Sequence, residues 1–236
     1  MITDNAINKL VADKVLEEEA EEKAKHVSSG KLSASGLNDP LQWQILKTLG
    51  VPTKEMDEYT LRKFQRGKDV EDRILGWLPV SSRQEFVEYR NVVGYLDATI
   101  NSSFWFTEGL PKSEMPLEIK SVTNAKFKRI VDQGSPDKGH ILQVCLYGLA
   151  KGTKNTAIGY VASDDYRIQS YILNVEDYKK EIDDIIDKFN DQIAKHQIPV
   201  FEAREKWMAD LKYCKYPDFM EKNQEELDEI LLELNK

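Results

Sequence analysis

Cysteine is scarce: Cys145 and Cys214 are the only two among 236 residues. Two thiols can build neither a disulfide scaffold nor a four-thiolate metal site, and the default setting is a reducing one. Histidine is nearly as rare. His26, His140 and His196 lie far apart and make no ligand spacing, so each reads as ordinary surface or core. No run of 18 apolar residues occurs, which argues against a membrane helix and a membrane partner. The first ten residues lack a basic-then-apolar leader pattern, so the expected location is cytoplasmic. Glycine-rich phosphate loops, paired-histidine metalloprotease helices and paired-cysteine motifs are also missing.

What is present is an ordinary globular composition: 41% hydrophobic, 31% charged, with a mean hydropathy of −0.54. A chain of this size hides about 70% of its unfolded surface. The net charge is −8, which disfavours nonspecific binding of polyanions. The acid is concentrated towards the ends, at Glu17, Glu18, Glu19, Glu21 and Glu22, and again from Glu221 to Glu233. The middle holds basic groups: Arg62, Lys63, Arg66 and Lys68, then Lys126, Lys128 and Arg129. Nucleic acid therefore stays within reach despite a pI near 5.1.

Residues 1–30 read as a charged helical arm, solvated or frayed, broken at Ser28, Ser29 and Gly30. Ser33 and Ser35 are helix N-cap candidates. A short helix is expected from Pro40 to Leu49, ended by Gly50. Residues 54–78 carry a helical pattern with Met56, Tyr59, Phe64, Ile74 and Leu75 as a partial apolar stripe. The period then changes. Residues 85–89 and 92–100 alternate as strands, with Gly94 at a bulge or turn and Phe104, Trp105 and Phe106 extending or following the second. A turn-rich loop from Thr107 to Met115 leads to a third strand, Leu117 to Val122. Asp132 to Gly139 reads as a polar loop, His140 to Ala150 as an apolar helix, and Thr156–Ala162 with Arg167–Leu173 as a hairpin. From Val175 the pattern is helical, broken near Pro199 and Pro217. The order predicts a mixed sheet flanked by helices.

Residues i and i+2 of a strand share a face, so Glu118 and Lys120 lie together while Ile119 points to the core. Alone, that pair suits an exposed ion pair equally well. Asp97 ends the preceding apolar strand, and an antiparallel return would set it beside Glu118. Two carboxylates and a backbone carbonyl, that of Ile119, make a hard oxygen site for Mg²⁺ or Mn²⁺. Lys120 could then position water or neutralise a phosphate. Glu71, one turn after Gly67, offers a third carboxylate or a plain surface group. Gln143 and Tyr147, spaced i, i+4 on an apolar helix, share a face and need partners. They fit either a satisfied core or the lining of the site.

Together, Gly67 with Glu71, Gly94 with Asp97, Glu118 with Lys120, and Gln143 with Tyr147 resemble the PD-(D/E)XK nuclease superfamily. The likeness is nearest its RecB-like exonuclease branch, phage-type or CRISPR-associated, and runs from about Leu32 to Met220. It implies a restriction-endonuclease-like α/β core with a mixed sheet of about five strands. Residues 31–220 would form the nuclease domain, flanked by the arm at 1–30 and an acidic amphipathic helix at 221–236. It further implies phosphodiester hydrolysis of DNA by a metal-activated water, with action at ends in recombination or repair. Endonuclease action on DNA or RNA, or a noncatalytic interaction role, are the alternatives. Asp97 and Glu118 take the place of metal ligands, Lys120 that of the catalytic lysine, Glu71 a further ligand, and Gln143 and Tyr147 the accessory motif. Arg62, Arg66, Lys126, Lys128 and Arg129 are candidate backbone contacts.

Iron–sulphur members of that branch carry four cysteines, one before a proline and three near the end. Here Asp39, Leu211 and Met220 stand at three of those places and only Cys214 remains, so no cluster is expected. Packing of Leu211 and Met220 is expected to tie the ends together instead. Leu227, Ile230, Leu231 and Leu234 could dock a recombination partner protein or a second copy.

Overall fold

A computed structural model describes residues 6–25, 30–101, 103 and 113–234. The expected break at Ser28 and Ser29, the Phe104–Phe106 extension and most of the following loop lie outside the described residues.

The described chain forms helix α1 (Ala6–Lys25), strand β1 (Leu32–Ser33), helices α2 (Leu41–Thr48) and α3 (Glu58–Trp77), and strands β2 (Val80–Tyr89), β3 (Val92–Asn101) and β4 (Glu114–Val122). Helices α4 (Asn124–Gln133) and α5 (Lys138–Lys151), strands β5 (Asn155–Ala162) and β6 (Ile168–Asn174), and helices α6 (Glu176–Ala194) and α7 (Gln224–Leu234) follow. The sheet order is β1-β3-β4-β5-β6, with β2 paired to β3. Neighbours β2/β3, β3/β4 and β5/β6 are antiparallel, whereas β1/β3 and β4/β5 are parallel. This mixed, helix-flanked sheet is a restriction-endonuclease-like α/β core.

Local chemistry sets most boundaries. The Asp57 side chain accepts from Thr60 N at 2.7 Å and starts α3; Thr123 does the same for α4. Gly134 and Gly152 end α4 and α5 at φ +68° and +65°, a conformation other residues adopt at a cost. Several expectations are corrected. Asp132 and Gln133 close α4, which the polar composition of 123–133 concealed, and Gly139 lies inside α5. The Ser33–Gly36 stretch holds β1 and one 3₁₀ turn, with no side-chain cap from Ser33. Between α6 and α7 only two short 3₁₀ turns occur, at Lys206–Ala209 and Pro217–Phe219. In α3 the buried stripe is Leu61, Val70, Ile74 and Leu75, while Tyr59 and Phe64 stay exposed.

The sheet separates two cores. Against α3 lie Ala98, Ile100, Met115, Leu117, Ile119, Ala157 and Val161. The larger core, beneath α2, α5, α6 and α7, takes Val92, Leu96, Ile158 and Tyr160. Leu227 and Leu231 of α7 enter it, so these two leucines, expected to face a partner, serve the chain's own interior. Leu211 is exposed and outside the large core, whereas Met220 packs on it. The ends meet through polar groups: Lys215 Nζ bonds both Asp39 carboxylate oxygens, at 2.9 and 2.7 Å, and Arg204 donates to Leu37 O at 2.6 Å.

Gly148 lets α5 lie flat on the sheet. A Cβ there would fall within 2.5 Å of Thr156 Cγ2 and closer still to Val175. Gly148→Ala is therefore expected to cost about 1–3 kcal/mol of stability by overpacking. Gly76→Ala, in α3 with nothing within 4 Å, should gain up to about 1 kcal/mol from helix propensity. Urea denaturation of the two variants checks both signs.

Candidate active site

The site begins where two strands part. The β3/β4 ladder runs from Asn101↔Glu114 to Ala98↔Leu117 and then stops, so Asp97 and Glu118 stand at the mouth of a gap. On its other side β4 remains paired to β5 through Val122. The main-chain N–H groups of Ile119 and Ser121 have thus lost their strand partner. Carboxylates take over: Asp97 Oδ2 accepts from Ile119 N and Glu71 Oε1 from Ser121 N, each at 3.0 Å. N–H and C=O of one strand residue point to the same side, so the Ile119 carbonyl also faces this gap.

Asp97 sits at an irregularity. Val92 and Leu96 reach the larger core, but Ala98 and Ile100 reach the smaller one, so β3 changes face at Asp97. Gln84, across from Asp97, falls out of the β2/β3 ladder at φ +49°. A non-glycine residue in that left-handed region is strained. The switch turns Asp97 sideways, into the gap.

Glu118 is 1% exposed, and Lys120 Nζ bonds its Oε1. Gln143 Nε2 donates to the same oxygen at 2.7 Å and contacts Tyr147 Oη at 3.0 Å. Gly94 makes this close approach possible: a Cβ there would lie 2.8 Å from Tyr147 Cε1 and 2.9 Å from Ala34 Cβ. The glycine expected to mark a bulge or turn instead holds regular register with Val87 and yields its space to a phenol. Glu118 Oε2 is buried and finds no hydrogen-bond partner among the described residues.

Burial raises Glu71 and Asp97 above the usual carboxylate range, with Lys120 pulling both back. Burial pushes Glu118 up to about 8, again opposed by Lys120, with Asp97 adding to the rise. Burial pulls on the Lys120 ammonium too, but Glu118, Asp97 and Glu71 outweigh it and hold the group charged. One buried acid, Glu118, and two part-buried ones, Asp97 and Glu71, share one cation, and the cluster is short of positive charge. Its donors are all oxygen, the set a hard divalent ion prefers. The orphaned Glu118 oxygen fits such an ion. As the side chains stand, no group of three His, Cys, Asp or Glu converges as a metal site among the described residues. Each carboxylate is engaged by a protein donor instead.

A cleft of about 550 Å³ opens over Glu71, Lys120 and Gln143. His140 lines it as well, a residue that sequence reasoning set aside as ordinary. It precedes Gln143 by three residues, one helical turn, and that spacing was the available signal. Asp137 N donates to the Tyr160 hydroxyl at 3.0 Å, and that hydroxyl lies 2.8 Å from His140 Nδ1. The hydroxyl, already accepting from Asp137 N, has its own proton to offer Nδ1, an arrangement that places the imidazole proton on Nε2 when the ring is that tautomer. Burial, with Lys120 nearby, holds the ring neutral, its pKa down to about 3. Besides Lys120, the lysines lining the cleft are Lys63 and Lys68. Arg62 is engaged by Glu58 and Asn8, and Arg66 lies 3.8 Å from Asp164. Lys126 and Arg129 pair with Asp137, and Lys128 with Asp132.

No protein-family model and no curated protein matches the sequence. Solved structures do. That of SSO0001 aligns at 17% identity over 89% of this chain and 93% of that one, with a TM-score of 0.52. An alkaline exonuclease from Laribacter hongkongensis aligns at 13% identity over 71% of this chain and 92% of that one, TM-score 0.49. A phage-related exonuclease from Haemophilus somnus 129PT aligns at 15% identity over 73% and 97%, TM-score 0.43. The first of these shows a shared fold. The chain has a restriction-endonuclease-like α/β fold, with a cluster of acids, a lysine and an amide where its central strands diverge.

The raised Glu118 carboxyl makes a pH prediction. Between 4.5, its ordinary value, and about 8, the folded protein holds a proton that the unfolded chain releases. Stability therefore falls as pH rises through that window, by up to about 1.4 kcal/mol per pH unit. His140 acts oppositely, but only below its ordinary 6.5, so the interval from 6.5 to 8 reports the carboxyl cluster. Denaturation in chelator should show this decline, and Glu118→Gln should flatten it.

Proposed function

We propose that this protein is a divalent-metal-dependent nuclease that hydrolyses phosphodiester bonds in DNA, with removal of nucleotides from ends as its mode. One observation carries the reading: Asp97, Glu118 and Lys120 meet in one part-buried gap, with a buried Glu118 oxygen left unpartnered among the described residues. The end-directed mode rests on the motif resemblance.

Asp97, Glu118, Glu71 and the Ile119 carbonyl would hold the ion, Mg²⁺ or Mn²⁺. The chemistry such an ion supplies when bound is Lewis acidity: it lowers the pKa of water and offsets charge on the phosphoryl oxygens. The chain's own groups do the rest. The Lys120 ammonium faces the cleft and stabilises negative charge that grows on the phosphate as water attacks and the P–O bond to the leaving nucleotide breaks. Gln143 fixes Glu118 in place while Tyr147 fixes Gln143, a chain of hydrogen bonds that limits reorganisation during the reaction. With the Tyr160 hydroxyl donating to Nδ1, the Nε2 proton of His140 would be available to a phosphate oxygen at a pH where the ring carries no charge. Lys63 and Lys68 offer the backbone charge contacts that nucleic acid requires.

The test compares linear duplex, nicked circle, closed circle, single-stranded DNA and RNA, each with Mg²⁺ and with chelator. Wild type should cut linear DNA only with the metal and leave closed circles intact. Lys120→Ala and Asp97→Ala should each lower kcat by about 10²–10³-fold. Mg²⁺ should also raise the melting temperature of wild type and not of Glu118→Gln, a readout independent of turnover. Equal degradation by wild type and both variants would overturn the catalytic assignment. Cutting of closed circles would replace end-directed action by endonucleolysis, and unaltered melting in Mg²⁺ would remove the metal site.

A further inference from the structure

The cleft above Lys120 is not walled by the nuclease core alone. Helix α1, expected as a solvated arm, lies across α3 and supplies Glu18, Glu19 and Glu22 to the lining of the same cleft that holds Glu71, Lys120 and His140. The contacts follow one face of α1. Asn8 accepts from Arg62 through its side chain at 3.0 Å and through its carbonyl at 3.1 Å. Val15 meets the cleft beside Leu61 and Phe64, and Glu22 Oε2 lies 3.3 Å from Lys68 Nζ. Asn8, Val15, Glu19 and Glu22 recur at steps of seven, four and three, a single stripe along the helix.

Little apolar surface holds α1 there. Ile7, Leu10, Val11 and Leu16 all face solvent, and Val15 is only half-buried. The helix is fixed chiefly by polar and charged contacts between exposed side chains, which are weak and salt-sensitive. Its Glu22 pairs with Lys68 of α3, and Lys63 lines the same cleft; these are basic residues that a polyanion entering the cleft would need. Three carboxylates of one helix face set in a cleft with Lys63 and Lys68 present negative charge where a bound nucleic acid strand would.

We propose that α1 is a built-in stand-in for nucleic acid: its acidic face occupies the strand-binding path over Lys120 in the free protein, and an incoming strand must displace it. This deepens the nuclease reading and rests on it. Weak docking makes displacement feasible, and the competition filters out ligands with too few phosphates to outbid three carboxylates. Short oligonucleotides then bind poorly relative to long ones, while a substrate small enough to enter beneath the helix is unaffected.

The test uses the full chain with Glu18→Gln, Glu19→Gln and Glu22→Gln combined. A charge-matched control carries Glu225→Gln, Glu229→Gln and Glu233→Gln on α7. Binding of a labelled 12-nucleotide strand is followed by anisotropy in Ca²⁺ at low salt. Hydrolysis of bis(p-nitrophenyl) phosphate in Mg²⁺ is followed alongside. The α1 variant should bind the strand about tenfold more tightly than wild type, the α7 control should match wild type, and all three should hydrolyse the small ester alike. Amide hydrogen exchange across residues 6–25 of wild type should quicken when the strand is added. Equal affinity of the α1 variant and wild type, an equal gain in the α7 control, or unchanged exchange in α1 would overturn the stand-in role while leaving the nuclease reading intact. Loss of ester hydrolysis in all three proteins, with α1 exchange still responding to the strand, would instead overturn the nuclease reading alone.

Discussion

Everything at the site depends on a failure of pairing. β3 and β4 share a ladder up to Ala98 and Leu117, then diverge, and two main-chain N–H groups of β4 are left without a strand to bond. Unsatisfied buried N–H groups are costly. Asp97 and Glu71 answer that cost from two different elements, which brings their carboxylates to one place. The same divergence opens room for Glu118, and Glu118 in turn needs Lys120 and Gln143. Backbone satisfaction and acid clustering are thus one arrangement seen from two sides.

The arrangement is costly to the folded state. Three acids lie in a setting that raises all of them, with a single ammonium among them. Buried ion pairs of this kind add little net stability, because the desolvation of each partner offsets their attraction. The strained backbone at Gln84 points the same way. Such features persist when the surrounding structure over-determines them, and here both cores press on β3 and β4 from opposite faces.

The sequence was most legible where one period governs. Alternation located β3 and β4, and i, i+4 spacing joined Gln143 to Tyr147; the antiparallel return then put Asp97 beside Glu118 as expected. Legibility failed where tertiary contacts override local pattern. Gly94 signals a bend by composition, yet a tyrosine from α5 decides its role. Phe64 looks like core by spacing, yet it borders a cleft. Helix α4 was hidden because its polar positions outnumber the two buried ones, Phe127 and Ile130. His140 was passed over because its one-turn spacing to Gln143 says nothing of its bond to Tyr160, twenty residues away. α1 showed its charge but not what lies beneath it.

The clasp of Asp39 by Lys215 spans 176 positions of chain. Entropically, such a long closure is only modestly worse than a short one, since the penalty grows with the logarithm of length. In time it is another matter. Distant partners meet late, after local structure has formed. During synthesis Asp39 waits until residue 215 has left the ribosome, and Leu227 joins the larger interior later still. The larger interior therefore closes late, and the segment around Asp39 emerges well before its final neighbours do.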